Sequence, residues 1–283
     1  MGQSNEGRCC DAVLSIIEGE LSAKRKILSI DTPATRGIEV RCKIGGAIYA
    51  LEHTLVDPYP DKRGDDLQFL EVLGAIEESL NGKGLLRTDG SYHLYVESNA
   101  FRGKKRSEIP AIRAAIREWV IGNAHRLVSA APGDTQELGA SPPTVPVRVR
   151  LQFTLWPSSS NKLLIGRMSP ADLPQQRRER IRTALKKKGP KLLAEHKAGA
   201  MTVLILEDDD VALSNAVDIG TALHTELALR AYGIDDVYLV ETKLPDCWQI
   251  WRMKQGTRQW PTRSESPVFW EFSPLGLKDI FAR

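Results

Sequence analysis

An α/β fold is predicted from this sequence, a mixed sheet core flanked by helices, with a large helical and loop insertion after the first hairpin. Three observations carry it. IEVRCKIGGAIYALEHT (38–54) alternates apolar and polar residues on either side of Gly45-Gly46, the pattern of a β-hairpin with a two-residue turn. MTVLILE (201–207) is a continuous apolar run bounded by acids, as in a strand buried on both faces. A helical stretch (211–231) and VYLVET (236–241) follow it and complete an α/β unit.

The elements follow in order. Residues 9–26 place Val13, Leu14, Ile16, Ile17 and Leu21 among charges, which predicts an amphipathic helix. DTPATRG (31–37) is turn-rich and leads into the hairpin. The Gly-Gly turn accepts positive φ without steric cost and pairs Ile44 with Ala47, hence Arg41 with Ala50 and Glu39 with Glu52. DPYPDKRGDD (57–66) is a loop, and Leu67, Leu70, Leu73, Ile76 and Leu80 mark a helix ending near Asn81-Gly82. YHLYVE (92–97) reads as a strand and 107–128 as a helix with Ile112, Ile116 and Val120 on one stripe. The Ala-, Gly-, Ser- and Pro-rich stretch 129–146 reads as a flexible loop, and VRVRLQFTLW (147–156), which alternates strictly, as a strand. A basic helical region (174–198) is expected to be interrupted at Gly189-Pro190, and WQIWRM (248–253) supplies a further strand. Residues 1–283 thus read as a single elaborated α/β domain with 57–146 as its insertion.

At 283 residues and 42% hydrophobic content the chain can bury a large core. Its 39 basic and 36 acidic residues nearly balance, so net charge alone argues for no polyanionic partner. Cys9, Cys10, Cys42 and Cys247 lack the paired CxxC spacing of a zinc site, and adjacent Cys9 and Cys10 cannot readily bridge. They read as reduced thiols of a cytoplasmic protein. No apolar run approaches the ~18 residues of a membrane span, and MGQSNEGR carries neither a signal-peptide hydrophobic region nor a complete myristoylation pattern. A phosphate-binding GxxxxGK[ST], HExxH, GxSxG and a Rossmann glycine fingerprint are all missing, which removes the commonest NTPase, zincin and hydrolase readings.

Alternation along the hairpin puts Val40, Cys42, Ile44, Tyr49, Leu51 and Leu55 on one face and Glu39, Arg41, Lys43, Glu52 and Thr54 on the other. Like charges directly opposite cost a few tenths to about 1 kcal/mol, so Glu39 and Glu52 call for a cation. Arg41, Lys43 or a divalent metal are the candidates. On a solvated face, Arg41 diagonal to Glu52 would form an ordinary surface ion pair.

Helix, hairpin with an acid on each strand, further strand, basic helix, buried strand: this order resembles the PD-(D/E)xK nuclease-like superfamily, and YALEHT is similar to a run in a group of uncharacterised bacterial proteins assigned to it. The resemblance implies a restriction-endonuclease-like sheet and divalent-metal-dependent hydrolysis of phosphodiesters, in genome defence or DNA processing. It also implies that Glu39 and Glu52 bind Mg²⁺ or Mn²⁺, with Glu18 or Glu20 of the first helix as a third ligand. Ile38-Glu39 stands where the superfamily usually has Pro-Asp, and Thr54 stands where it has lysine. Some members recruit that lysine from the helix after the third strand, which here points to Lys188 or Lys191, residues that share a helix face. Arg178, Arg182, Lys186 and Lys187 of the same helix are then the expected contacts to nucleic acid, DNA ahead of RNA. Thr54 also favours a different outcome, a catalytically inactive nuclease-fold protein that binds nucleic acid or a partner protein through 177–197, alone or as a homodimer.

Other polar residues have plainer readings. His53 should face the core as a hydrogen-bonded histidine, Asp209 or Asp210 should cap helix 211–231, and Trp248 and Trp251 should pack rather than stack on bases.

Overall fold

The structure, a computed structural model, describes residues 5–31, 37–56, 67–81, 83–87, 89–97, 100–101, 103–128, 131–142, 147–155, 162–168, 172–210, 215–260, 265 and 268–282. In chain order the elements are α1 (Glu6–Leu21), β1 (Lys26–Ile30), β2 (Val40–Ile44) and β3 (Ala47–Leu55), then a π-helical turn (Leu70–Gly74) running into α2 (Ala75–Leu80). β4 (Gly90–Glu97), α3 (Ile109–Ala124), β5 (Thr135–Ala140), β6 (Val149–Leu155) and β7 (Leu163–Met168) follow. The last part comprises α4 (Leu173–Lys197), β8 (Met201–Asp208), α5 (Ala216–Leu227), β9 (Asp236–Glu241), β10 (Trp248–Gln255), β11 (Arg258–Gln259) and β12 (Phe269–Phe272).

Where the sequence suggests one domain with an insertion at 57–146, the chain groups into two compact units, Met1–Pro60 with Asp172–Arg283, and Asp61–Ala171. The second unit therefore extends past the expected insertion to take in β6 and β7. It has its own sheet, in the order β5-β6-β4-β7, and its own core. In β4 every second residue is buried, so Tyr92, Leu94 and Val96 face Ile76, Ile112, Ile116 and Val120 of the helices. Residues 135–140, expected in a flexible loop, form strand β5 against β6. That strand is almost wholly exposed and held through its backbone, which no hydrophobic alternation reports.

In the first unit eight strands make one sheet, with order β1-β2-β3-β8-β9-β10-β11 and β12 also on β10. β1, β2 and β3 run antiparallel, β3, β8 and β9 parallel, and β10 antiparallel to β9. α1 packs Val13, Leu14 and Ile17 on one face, against Val40, Leu51, Val203, Ile205 and Tyr238. α4 and α5 cover the other face, where Ile181, Leu185, Leu192, Ile219 and Leu223 meet Ala50, Leu204, Leu206 and Leu239. Helices on both sides explain why β8 is apolar without alternation. Among the described residues no helix is long and apolar enough to cross a membrane.

Three local expectations need correction. The first helix ends at Leu21 because Ser22 turns left-handed (φ 49°), and the last residue of the expected stretch, Lys26, opens β1, an edge strand exposed throughout. α4 runs unbroken through Gly189-Pro190. The hydrogen bond that Pro190 forgoes lies on the exposed side of the helix, where water can serve the Lys186 carbonyl. Gly189 meanwhile lets the helix pass against Tyr232, whose ring a Cβ would meet at 2.2 Å. The cap of α5 is Asn215, which accepts from the Asp218 amide at 2.9 Å, in place of Asp209 or Asp210.

Candidate functional site

The site begins with the Gly45-Gly46 turn. Both glycines have positive φ (56° and 93°), which closes a two-residue hairpin and sets the register Ile44–Ala47, Lys43–Ile48, Arg41–Ala50 and Val40–Leu51. Glu39 lies one step beyond the last rung, opposite Glu52, as the turn chemistry predicts. There the strands are tied by side chains: the Glu39 amide donates to Glu52 Oε1 at 3.3 Å, and the His53 amide donates to Glu39 Oε2.

At its Glu52 end the charged face of this hairpin is covered by α4, while Lys43 near the turn stays exposed. Glu52 is 0% exposed, and a buried carboxylate has to be paired. The stripe of α4 that points at the sheet holds Ile181, Ala184, Leu185 and Leu192, and in the same stripe sits Lys188. Its ammonium bonds Glu39 Oε1 and lies 2.7 Å from Glu52 Oε2. Lys191, one turn further along, reaches Glu52 Oε1 at 3.2 Å and donates to the Gly37 carbonyl at 2.6 Å. Glu39, Glu52, Lys188 and Lys191, which the sequence picks out separately, therefore meet. Glu52 Oε2 is buried and charge-compensated, yet it receives no well-directed hydrogen bond.

Burial, and then the charge of Glu52, push the Glu39 carboxyl up, against the pull of Lys188 and the His53 amide. Burial alone would lower Lys188, but bonds and charge from Glu39 and Glu52 outweigh it and hold the ammonium above its ordinary value. Lys188 is thus a fixed cation at neutral pH, suited to stabilising negative charge and not to accepting a proton.

Several expected site residues are elsewhere. Glu18 accepts from the Arg25 amide at 2.6 Å and Glu20 pairs with Arg252 at 2.6 Å, so neither joins Glu39 and Glu52. After burial itself, the charges of Glu39, Glu6 and Glu52 raise the Cys10 thiol. Arg41 pairs with Glu195 of α4 at 3.2 Å instead of with Glu52. Arg178 and Arg182, expected on nucleic acid, both clasp Glu226 of α5, at 2.5 and 2.9 Å. Lys186 and Lys187 remain exposed on the outer side of α4.

The opposite face of β3 carries polar residues that sequence reasoning left apart. His53 is buried as expected, and its Nε2 lies 3.0 Å from Glu207 Oε2 on β8. Cys9 of α1 completes a cluster with them. At the far end of β8, Asp208 sits beside Glu241 of β9. Burial drives its carboxyl up to about 7, and its Oδ2 has no partner. Trp248 and Trp251 pack as expected, the latter donating to Glu241 at 2.9 Å.

No protein-family model, curated protein or solved structure matches this chain.

Proposed function

We propose that this protein is a divalent-metal-dependent phosphodiesterase acting on nucleic acid, DNA ahead of RNA, built on a restriction-endonuclease-like core. The observation that carries the reading is the convergence of Glu39, Glu52 and Lys188 from the start of β2, the middle of β3 and the helix that follows in the same unit. The succession α1, three antiparallel strands, α4 and a strand parallel to β3 supports it as well. Lys188 supplies the ammonium that Thr54 does not.

Two carboxylates side by side, Glu52 buried and Glu39 half-buried, offer the hard oxygens that Mg²⁺ or Mn²⁺ prefers, and an ion there would share Glu52 Oε2 with Lys188, which stands 2.7 Å from it. The donor set therefore fits the ion, which when bound supplies Lewis-acid charge to a phosphoryl oxygen. Glu39 and Glu52 would hold it. Lys188 stabilises charge that develops on the phosphate, and half-buried Lys191 and exposed Lys186 and Lys187 meet its non-reacting neighbours. Two carboxylates against two ammoniums leave the free site near neutral, so cation and phosphate should bind more tightly together than apart.

Cleavage of plasmid and single-stranded DNA with Mg²⁺ or Mn²⁺ tests the proposal. The intact protein should cleave, and Glu52→Gln should lose at least about 100-fold, the scale of a lost catalytic electrostatic contact. Equal activity in the two rejects the site. The inactive-binder reading has one observation in its favour, the closed ion pairs on both carboxylates. It requires DNA binding without cleavage, weakened when Lys186 and Lys187 are reversed to Glu.

A further inference from the structure

We propose that Cys9, His53 and Glu207 form a binding site for a zinc-class divalent transition metal, on the face of the sheet opposite Glu52. This inference does not depend on phosphodiesterase activity. It stands on donor chemistry, spacing and the bonds that orient one of the donors.

Three elements contribute one donor each: α1 near its N-terminus, β3 and β8. One ligand atom from each residue lies within 4.8 Å of the other two, and Cys9, His53 and Glu207 are 0%, 7% and 3% exposed. Zn²⁺ holds sulfur at about 2.3 Å and nitrogen or oxygen at about 2.0–2.2 Å in a tetrahedron. Donor atoms around it are then roughly 3–4 Å apart, and His53 Nε2 and Glu207 Oε2 already stand at 3.0 Å. Small side-chain shifts bring the third donor in. A thiol, an imidazole and a carboxylate make a set that Zn²⁺ accepts and that Mg²⁺, which takes oxygen, does not.

The carboxylate is oriented from outside. Glu207 Oε1 accepts from Asn5 Nδ2 at 3.0 Å and from Thr242 Oγ1 at 2.9 Å, which leaves Oε2 turned towards His53 as a single-oxygen donor. Metal-ligating carboxylates are held by such neighbours, and a hydrogen-bonded core histidine needs none of them. Three protein donors leave the fourth position to a water. On binding, the Cys9 thiol gives its proton to solvent, so uptake should release about one proton.

The backbone links this site to the first one. His53 follows Glu52, and its amide donates to Glu39 Oε2, so fixing the imidazole fixes the strand segment that anchors Glu39. The metal here would position the acids from behind the sheet and touch no substrate.

The test uses the full chain, stripped with chelator and titrated with Zn²⁺ and separately with Co²⁺. Expected are about one equivalent of Zn²⁺ by elemental analysis, a higher thermal midpoint, and a thiolate-to-Co²⁺ charge-transfer band. Cys9→Ser should abolish that band although Cys10, Cys42 and Cys247 remain. Thr242→Val should weaken binding about 10-fold, the low end for an outer-shell loss, and Glu52→Gln should leave it unchanged. Should Cys9→Ser fail to fold, the Co²⁺ spectrum of the unaltered chain decides. A missing thiolate band, binding well below one equivalent, or full affinity in Cys9→Ser overturns the proposal.

Discussion

Glu52 and His53 are consecutive in β3, and the pleat sends them to opposite faces, each into a buried polar cluster. On the Glu52 side, charge is compensated by charge: two lysines reach in from α4 on long side chains. On the His53 side one carboxylate, Glu207, is held by the His53 imidazole at 3.0 Å and by two short, neutral donors, Asn5 and Thr242. The first arrangement joins two acids to two ammoniums, of which Lys188 is buried and Lys191 half-buried, so a cation would compete for the acids and an anion for the ammoniums. The second is locked between strands and a helix. Under the proposed function, that difference would separate a site for turnover from a site for support.

Lys188→Met should break the comparison most sharply. It leaves buried Glu52 and half-buried Glu39 short of a cation, a loss on the order of 3–5 kcal/mol by denaturant unfolding, together with loss of any hydrolysis. Adding Glu52→Gln should recover most of that stability and none of the activity; a double mutant as unstable as Lys188→Met would show that the pair is not coupled. On the other face Glu207→Gln, which keeps the shape and several of the hydrogen bonds, should cost about 1–2 kcal/mol.

The two faces should also part with pH. Glu207 is held below its ordinary value: burial opposes this, but bonds and charge from His53, Asn5 and Thr242 win. Its contribution is therefore present above pH 4.5 and lost as pH falls through the folded value. Lys188 is raised, so its contribution is full below pH 10.5 and lost as pH rises past that. Asp208, raised from 3.8 to about 7, and Glu39, also raised, act in the other sense for acids, eroding stability as they ionise. Asp208→Asn should flatten the fall in thermal midpoint between about pH 4 and 7, and an unchanged slope would remove Asp208 from the account. The smallest effect on stability is expected from reversing Lys186 and Lys187 to Glu. It should leave the thermal midpoint in place while lowering the salt slope of DNA binding by about 1–2 units.

The hairpin was legible because glycine chemistry fixes a turn and a turn fixes a register; the facing of Glu39 and Glu52 followed from counting. Lys188 and Lys191 were pointed to by the nuclease-like resemblance, and helical spacing put them on one face once Pro190 is tolerated. The partners of Arg178, Arg182, Glu18 and Glu20 were not. Glu226 lies 48 residues from Arg178, and nothing local announces such a pairing. β1 and β5 escaped for a related reason, since edge strands held by backbone bonds have little apolar alternation to read. Cys9, His53 and Glu207 failed the spacing rules for zinc because the parallel pairing of β3 with β8, 154 residues apart at His53 and Glu207, does the gathering.

The Gly45-Gly46 turn has a kinetic consequence. It brings Glu39 and Glu52 together across 13 residues, whereas Lys188 must return across 149 to reach Glu39. Short loops close first, so in a folding chain the two acids meet before their cations arrive. The hairpin then carries an unrelieved negative charge that draws Lys188 and Lys191 of α4 towards the sheet. Repulsion at the open end of the hairpin thereby acts as a beacon for α4, and acid conditions, by neutralising it, should ease the first event and slow the second.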